Sequence, residues 1–277
     1  MKQSTMIYLC LGGAILLVAG SLFLLMPKEN QTKMNSESQM KTSENTDQSK
    51  KVSQIESSAE VAVESSEPML SVPKMDLVQL NQALLTATDQ VNLSEIKQLL
   101  EQGAVVDTVN GKGESGLLVA AHEDNPEMAQ LFLDYNANVN LQDKIQDSPF
   151  LYAGAEGRLE ILTMMLTHNP DTKLTNRFGG NALIPAAEKE HLDMVRLLLS
   201  KTDVAVNHIN TPGWTALLEA IVYTDGGEIP QQIIQVLLDN GADPNLADKQ
   251  GITPIQHARQ RGFQQIVSIL KTAGAKD

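Results

Sequence analysis

Cysteine is all but absent from this 277-residue chain, which has only Cys10. That residue sits in an apolar run near the N-terminus. Everything after it lacks thiols, so neither a disulfide framework nor a thiolate metal site can form there. The missing thiols leave the compartment open, because an exported chain can avoid them altogether. Aromatic residues are scarce as well, 4% against an apolar fraction of 42%. A core with so few rings must be built from Leu, Ile, Val and Ala, which suits closely packed helices. Basic charge is also in deficit, with a formal net charge of −13. Nucleic-acid binding needs clustered Lys and Arg, so this balance argues against it. From residue 75 onward, 14 Lys+Arg face 26 Asp+Glu. The acidity belongs to that part and favours a basic or neutral protein partner.

Charge of either sign is missing from residues 6–26, MIYLCLGGAILLVAGSLFLLM. At about 1.5 Å rise per residue, a helix of this length spans a hydrocarbon core of about 30 Å. A cleaved signal peptide is the alternative, with Ala19-Gly20-Ser21 as its small-residue site. The run continues past that site through Leu22, Phe23, Leu24 and Leu25, which favours an uncleaved anchor. Lys2 precedes the run, while Lys28, Lys33 and Lys41 follow it. The very short polar head favours a cytoplasmic N-terminus, with the bulk of a single-pass membrane protein outside the cytoplasm. Residues 27–74 are rich in Ser, Glu, Lys, Gln and Thr, with few large apolar side chains. Such a segment cannot offset its ordering entropy by burial, and it is expected to be a disordered polar linker.

Catalytic constellations are missing too. The five histidines, His122, His168, His191, His208 and His257, form no i, i+4 pair of the kind a helical metal site uses. No nucleophile elbow, Ser-His-Asp order or phosphate loop is present. No catalytic residue, metal or cofactor is expected, and the chain does not read as an enzyme.

What the chain does have is repetition, which takes precedence over any single motif. GESGLLVAA from Gly113, QDSPFLYAG from Gln146, GGNALIPAA from Gly179, GWTALLEAI from Gly213 and GITPIQHAR from Gly251 can be laid beneath one another. A second phrase follows at a set offset, as in FLDYNANVN from Phe132, LLSKTDVAVN from Leu198 and LLDNGADPN from Leu237. An earlier unit, IKQLLEQGAVVD from Ile96, keeps only the second phrase. Gly opens a turn at a strained backbone position. Ser115, Ser148, Asn181, Thr215 and Thr253 stand where a small polar residue caps a helix. Pro149 and Pro254 fall at the first helical position. Leu and Ile at helical spacing, as at Ile96, Leu99 and Leu100, mark a second helix, and Gly103 and Gly241 end it.

These two phrases in register resemble the ankyrin repeat, over about residues 76–277. The expected fold is all-α, a solenoid of about six helix-turn-helix repeats with β-hairpin tips. The repeats would run at about 76–109, 110–142, 143–175, 176–209, 210–247 and 248–277, with polar caps at both ends. The pattern weakens at Gln146, where glycine is missing, and at His168-Asn169-Pro170-Asp171, where Gly-Ala is missing. The family's histidine is replaced by Leu118, Leu151, Ile184, Leu218 and Gln256, which extends the apolar interior. TALLEAIVYTDGG and its surroundings are similar to small bacterial ankyrin proteins, several of them exported.

The resemblance implies protein binding by hairpin tips and first helices. Carried onto this chain, the partner-contacting positions are Lys112, Glu114, His122 and Glu123 in one repeat. Ile145, Asp147 and Glu156 follow in the next, then Phe178, Glu188 and Lys189. Trp214, Tyr223, Ile252 and Arg259 complete the set. Ile145, Phe178, Trp214, Tyr223 and Ile252 would form an apolar row, unless Trp214 and Phe178 pack between adjacent tips. Five extra residues around 223–230 would form an inter-helix loop beside the groove. The expected function is a protein-interaction module displayed at the cell envelope. The alternative is an inhibitor or immunity protein that covers the basic site of a toxin or exported enzyme.

Overall fold

Residues 75–276 are those the computed structural model describes. The expected membrane segment at 6–26 and the linker at 27–74 lie outside them. No helix among the described residues is long and apolar enough to cross a membrane. Among the described residues, twelve helices follow one another in six pairs. They are α1 (Leu77–Asp89) with α2 (Leu93–Glu101), α3 (Gly116–His122) with α4 (Pro126–Asp134), and α5 (Pro149–Ala155) with α6 (Leu159–Met165). Then come α7 (Leu183–Glu188) with α8 (Leu192–Lys201), α9 (Ala216–Val222) with α10 (Glu228–Asp239), and α11 (Pro254–Gln260) with α12 (Gln264–Thr272).

The second helix of each pair buries one narrow stripe. Ile96, Leu99 and Leu100 do so in α2, and Met128, Ala129, Phe132 and Leu133 in α4. Met194, Val195 and Leu198 do so in α8, Ile233, Ile234 and Leu237 in α10, and Ile266, Val267 and Leu270 in α12. This is the amphipathic helix spacing. Of the first helices, α3, α5, α7 and α9 are short and buried almost all round, because they lie between neighbours on both sides. α1, α3, α5, α7, α9 and α11 pack in succession as one layer. In the other layer α2 meets α4, α4 meets α6, α8 meets α10 and α10 meets α12. Leu118, Leu151, Ile184 and Leu218, which replace the family's histidine, are all buried. Leu77 and Val78 stay exposed at the start of α1, where no preceding pair covers them. The polar cap expected at that end is therefore incomplete.

The helix starts follow the capping pattern closely. The hydroxyls of Ser115, Ser148 and Thr215 accept from the N–H of Leu118, Leu151 and Leu218. Asn181 accepts from Leu183 as well as from Ile184, and at Thr253 the Gln256 side chain accepts from the threonine's own N–H. Such caps are worth about 1 kcal/mol each.

The tips differ from expectation. One isolated β-bridge, Val109 with Ser115, is the only β pairing among the described residues. The tips are five tight turns, each closed by an Asn or Asp that the sequence phrases did not include. Asn110, Asp143, Asn176, Asn210 and Asp248 each donate a backbone N–H four residues on, to Glu114, Asp147, Gly180, Trp214 and Ile252. Each Oδ1 also accepts backbone N–H bonds within its turn, for instance Phe178 and Gly180 on Asn176 at 3.0 Å. An Asx side chain stands in here for a second strand.

A second series of Asn and Asp side chains joins pair to pair. Asp107, Asn140, Asn207 and Asn245 accept from the N–H of Asn138, Asp171, Asp243 and Lys276. At the one junction where the register holds Lys173, Thr172 Oγ1 donates instead to Asp203 Oδ1 at 2.6 Å. That bond holds the Asp203 carboxyl below its ordinary range.

The five-residue insertion falls at the expected inter-helix loop, between α9 and α10. Part of it lengthens α10 to 12 residues. The rest folds onto the following pair's loop, where Arg261 Nη2 donates to the Thr224 carbonyl at 2.7 Å and the Phe263 ring lies against Gly226.

Two positions test this account. Gln146 occupies the turn's opening position at φ +65°, where Gly113, Gly179, Gly213 and Gly251 stand in the other turns. A non-glycine residue there costs about 1–2 kcal/mol, against about 0.5–1 kcal/mol of added chain entropy for glycine. Gln146→Gly is expected to stabilise the fold by a few tenths to about 1 kcal/mol in denaturant titrations. Gly116 needs to be small for a different reason. A Cβ there would lie 2.1 Å from the fully buried Phe132 ring. Gly116→Ala is expected to lower the unfolding free energy by about 1–3 kcal/mol in the same titrations.

Candidate protein-binding face

The tips and first helices present one continuous run of the predicted contact residues, held in two registers. Lys112, Ile145 and Phe178 have their N–H groups on the Asx oxygen two residues back. Glu114, Asp147, Trp214 and Ile252 have theirs on the Asx oxygen four residues back. The five apolar residues expected in one row therefore split. Ile145 (52% exposed) and Phe178 (55%) stand out from the turn ends. Trp214 and Ile252 lie lower and are half-buried. The Trp214 ring packs between Tyr223 at 5.4 Å and His257 at 5.6 Å, so it ties α9 to α11. Tyr223 itself is 63% exposed. The Arg177 guanidinium lies over the Phe178 ring, 4.8 Å from its centre.

Most acidic groups on this face have a cation beside them. Glu114 is buried: Asn110 donates to its Oε2 at 2.8 Å, while Lys112 and His122 lie 3.5 and 3.8 Å from its Oε1. Asp147 meets Arg177 at 3.1 Å, and Glu156 pairs with Lys189. Asp124 meets Arg158 at 2.9 Å. Asp147, Glu156 and Lys189, predicted as partner contacts, thus cross-link successive helix pairs. His122 packs edge-on against Tyr152, with ring centres 4.1 Å apart. Asp248 and His257 form a mostly buried pair at 2.8 Å. Lys189, Glu123 and Arg259 are exposed, and Glu188 is half-buried.

Glu219 has no cation beside it, and the sequence phrases did not single it out. It lies in α9 at the register His257 occupies in α11, and it faces Asn210 where His257 faces Asp248. Asn210 Nδ2 donates to its Oε1 at 2.9 Å, but Oε2 is buried without a partner. Burial, followed by repulsion from Glu188, raises its pKa to about 7, against the pull of the Asn210 bond. Burial also raises the Glu188 carboxyl, with Lys189 opposing, and raises Asp147 despite Arg177. A buried Glu in an amphipathic helix is visible in sequence, but its missing partner is visible only in the packing.

The family described as Ankyrin repeats (3 copies) matches residues 84–176 and 150–248. This chain belongs to the ankyrin-repeat family. An ankyrin repeat domain from Acinetobacter baumannii, solved by crystallography, is 50% identical. The match covers 70% of this chain and 98% of that one, with a TM-score of 0.68. EF0377, another crystallised ankyrin repeat protein, is 42% identical with the same TM-score, over 71% of this chain and 98% of its own. The ankyrin repeat protein YahD of Escherichia coli (strain K12) is 53% identical over 81 residues. Those residues are 29% of this chain and span 40% of YahD's length. Ankyrin repeats are generally protein–protein interaction modules. Nothing on the face described above assembles a catalytic constellation.

Glu219 generates a prediction with a definite sign. Its pKa lies near 7 in the folded chain against 4.5 ordinarily. Between those values the folded chain binds the extra proton, so stability falls as pH rises through that window. Glu219→Gln keeps the acceptor for Asn210 and removes the charge. It is expected to raise the unfolding free energy at pH 8 by on the order of 2 kcal/mol. That advantage should disappear as pH drops to about 4.5 in paired denaturant titrations.

Proposed function

We propose that this chain binds a protein partner through its turn tips and first helices, and presents that face at the cell envelope. The observation that carries the reading is the pair of exposed apolar side chains at successive tips, Ile145 and Phe178, flanked by charged groups of both signs. Apolar anchors ringed by polar and charged residues are the usual anatomy of an interface. Their N–H groups are held by Asx turns, so the anchors sit on a framework that loses little freedom on binding. Residues 6–26 supply the tether in this reading, and residues 27–74 the spacing from the bilayer. The partner would be an envelope protein with a basic surface, because the repeat part carries 26 acidic against 14 basic residues. The same excess of acid supports a second reading, in which the chain inhibits or protects against a basic toxin or exported enzyme by covering its site.

Affinity capture by the full chain from envelope extract is the test, comparing wild type with Ile145→Ala/Phe178→Ala. The double variant should lose its specific partner, with affinity lowered at least about tenfold and helical ellipticity unchanged. Rising salt should weaken the wild-type complex progressively. Equal capture by both chains would overturn the reading.

A further inference from the structure

The N-terminal end of the face holds a cleft of about 280 Å³ between the end of α1 and the first tip. Its walls are Thr88, Asp89, Asn110, Glu114, His122 and Glu123, along with Lys112 and Val119. Four of the residues predicted to touch a partner, Lys112, Glu114, His122 and Glu123, thus converge on a single recess.

The chemistry of the recess is uneven. Three carboxylates line it, those of Asp89, Glu114 and Glu123, against one ammonium. That ammonium, on Lys112, already lies 3.5 Å from Glu114. Glu114 is buried and held in place by the Asn110 amide at 2.8 Å. Thr88 is an independent sign of an unfilled place. It is 2% exposed, and its hydroxyl is buried with no hydrogen-bond partner. A buried hydroxyl without a partner is unfavourable, and a donor entering the cleft would give its oxygen one. The volume lies just below the range of small-molecule pockets, roughly 300–1,000 Å³. It suits one side chain and not a larger ligand.

We propose that this cleft is a pocket for one arginine side chain of the partner protein. The proposal rests on the reading that this face binds protein. A guanidinium carries five donors in a planar fork and no acceptor. It can reach the fixed Glu114 carboxylate and the Thr88 hydroxyl inside, with Asp89 and Glu123 at the rim. A lysine ammonium is a compact charge with three donors, and Lys112 already supplies one at Glu114.

The test titrates the full chain, solubilised, with the capped tripeptide acetyl-Gly-Arg-Gly-amide, following the His122 ring protons by NMR. The control is the same peptide with citrulline, which keeps the shape and loses the charge. The arginine peptide should give a saturable shift with a midpoint in the millimolar range, and the citrulline peptide none. Thr88→Val should weaken binding by about fivefold, and Thr88→Ser should restore it. Because Thr88 is buried, Asp89→Asn/Glu123→Gln at the exposed rim gives a second test without disturbing the core. It should weaken binding by about threefold. No saturable shift, an equal response to citrulline, or indifference of both variants would overturn the pocket. If the arginine peptide fails while the Ile145/Phe178 variant still loses its partner, the pocket falls and the interface stands. If the peptide binds and that variant keeps its partner, the pocket stands and the tip interface falls.

Discussion

A pair of helices six to thirteen residues long cannot bury its own apolar stripe, and the rest of this structure depends on that. Ile161, Leu162 and Met165 in α6, or Ile233, Ile234 and Leu237 in α10, are covered only because other pairs stack against their own. Stability is then close to a sum of nearest-neighbour contacts. Local departures can be absorbed in such a chain. The junction with Lys173 in place of an amide is held by Thr172 and Asp203, and the turn that lacks glycine still closes with Gln146 at positive φ.

Stacking also arranges the electrostatics. Three acidic residues lie beside a neighbouring repeat's basic ones, Asp124 by Arg158, Asp147 by Arg177, and Glu156 by Lys189. Exposed pairs of this kind contribute little, about 0–1 kcal/mol each. Their larger effect is on what remains for a partner. On this face acidic groups also gather at two further places, Glu188 near Glu219, and the cleft of Asp89, Glu114 and Glu123. The first is closed over by packing, whereas the second opens to solvent as a recess.

Much of the fold was legible in the chain. The helix starts at Ser115, Ser148 and Thr215, the Pro at the head of α5 and α11, and the buried Leu118 and Leu218 all lie where the repeated phrases put them. Less of the face was legible. Ile145 and Phe178 precede the turn's opening residue while Trp214 and Ile252 follow it, and two positions of register in a tight turn separate an exposed side chain from a half-buried one. The Asx residues that close the turns recur at the repeat period in plain view, but their role emerges only when Oδ1 is seen between two backbone N–H groups. The insertion after Tyr223 was visible as extra length. Its direction was not, because that depends on Arg261 and Phe263 in the next repeat.

By itself the sequence determined the family, the solenoid and the acidity of the repeat part. Each is a property of composition or of a local phrase read at fixed period, and local backbone preference decides them. The tertiary structure alone decided which carboxylates are paired, that Trp214 is a packing residue, that Glu219 lacks a partner and that a cleft forms beside Thr88. Those are relations between residues roughly one repeat apart in the chain. They come into being only when one helix pair is laid against the next.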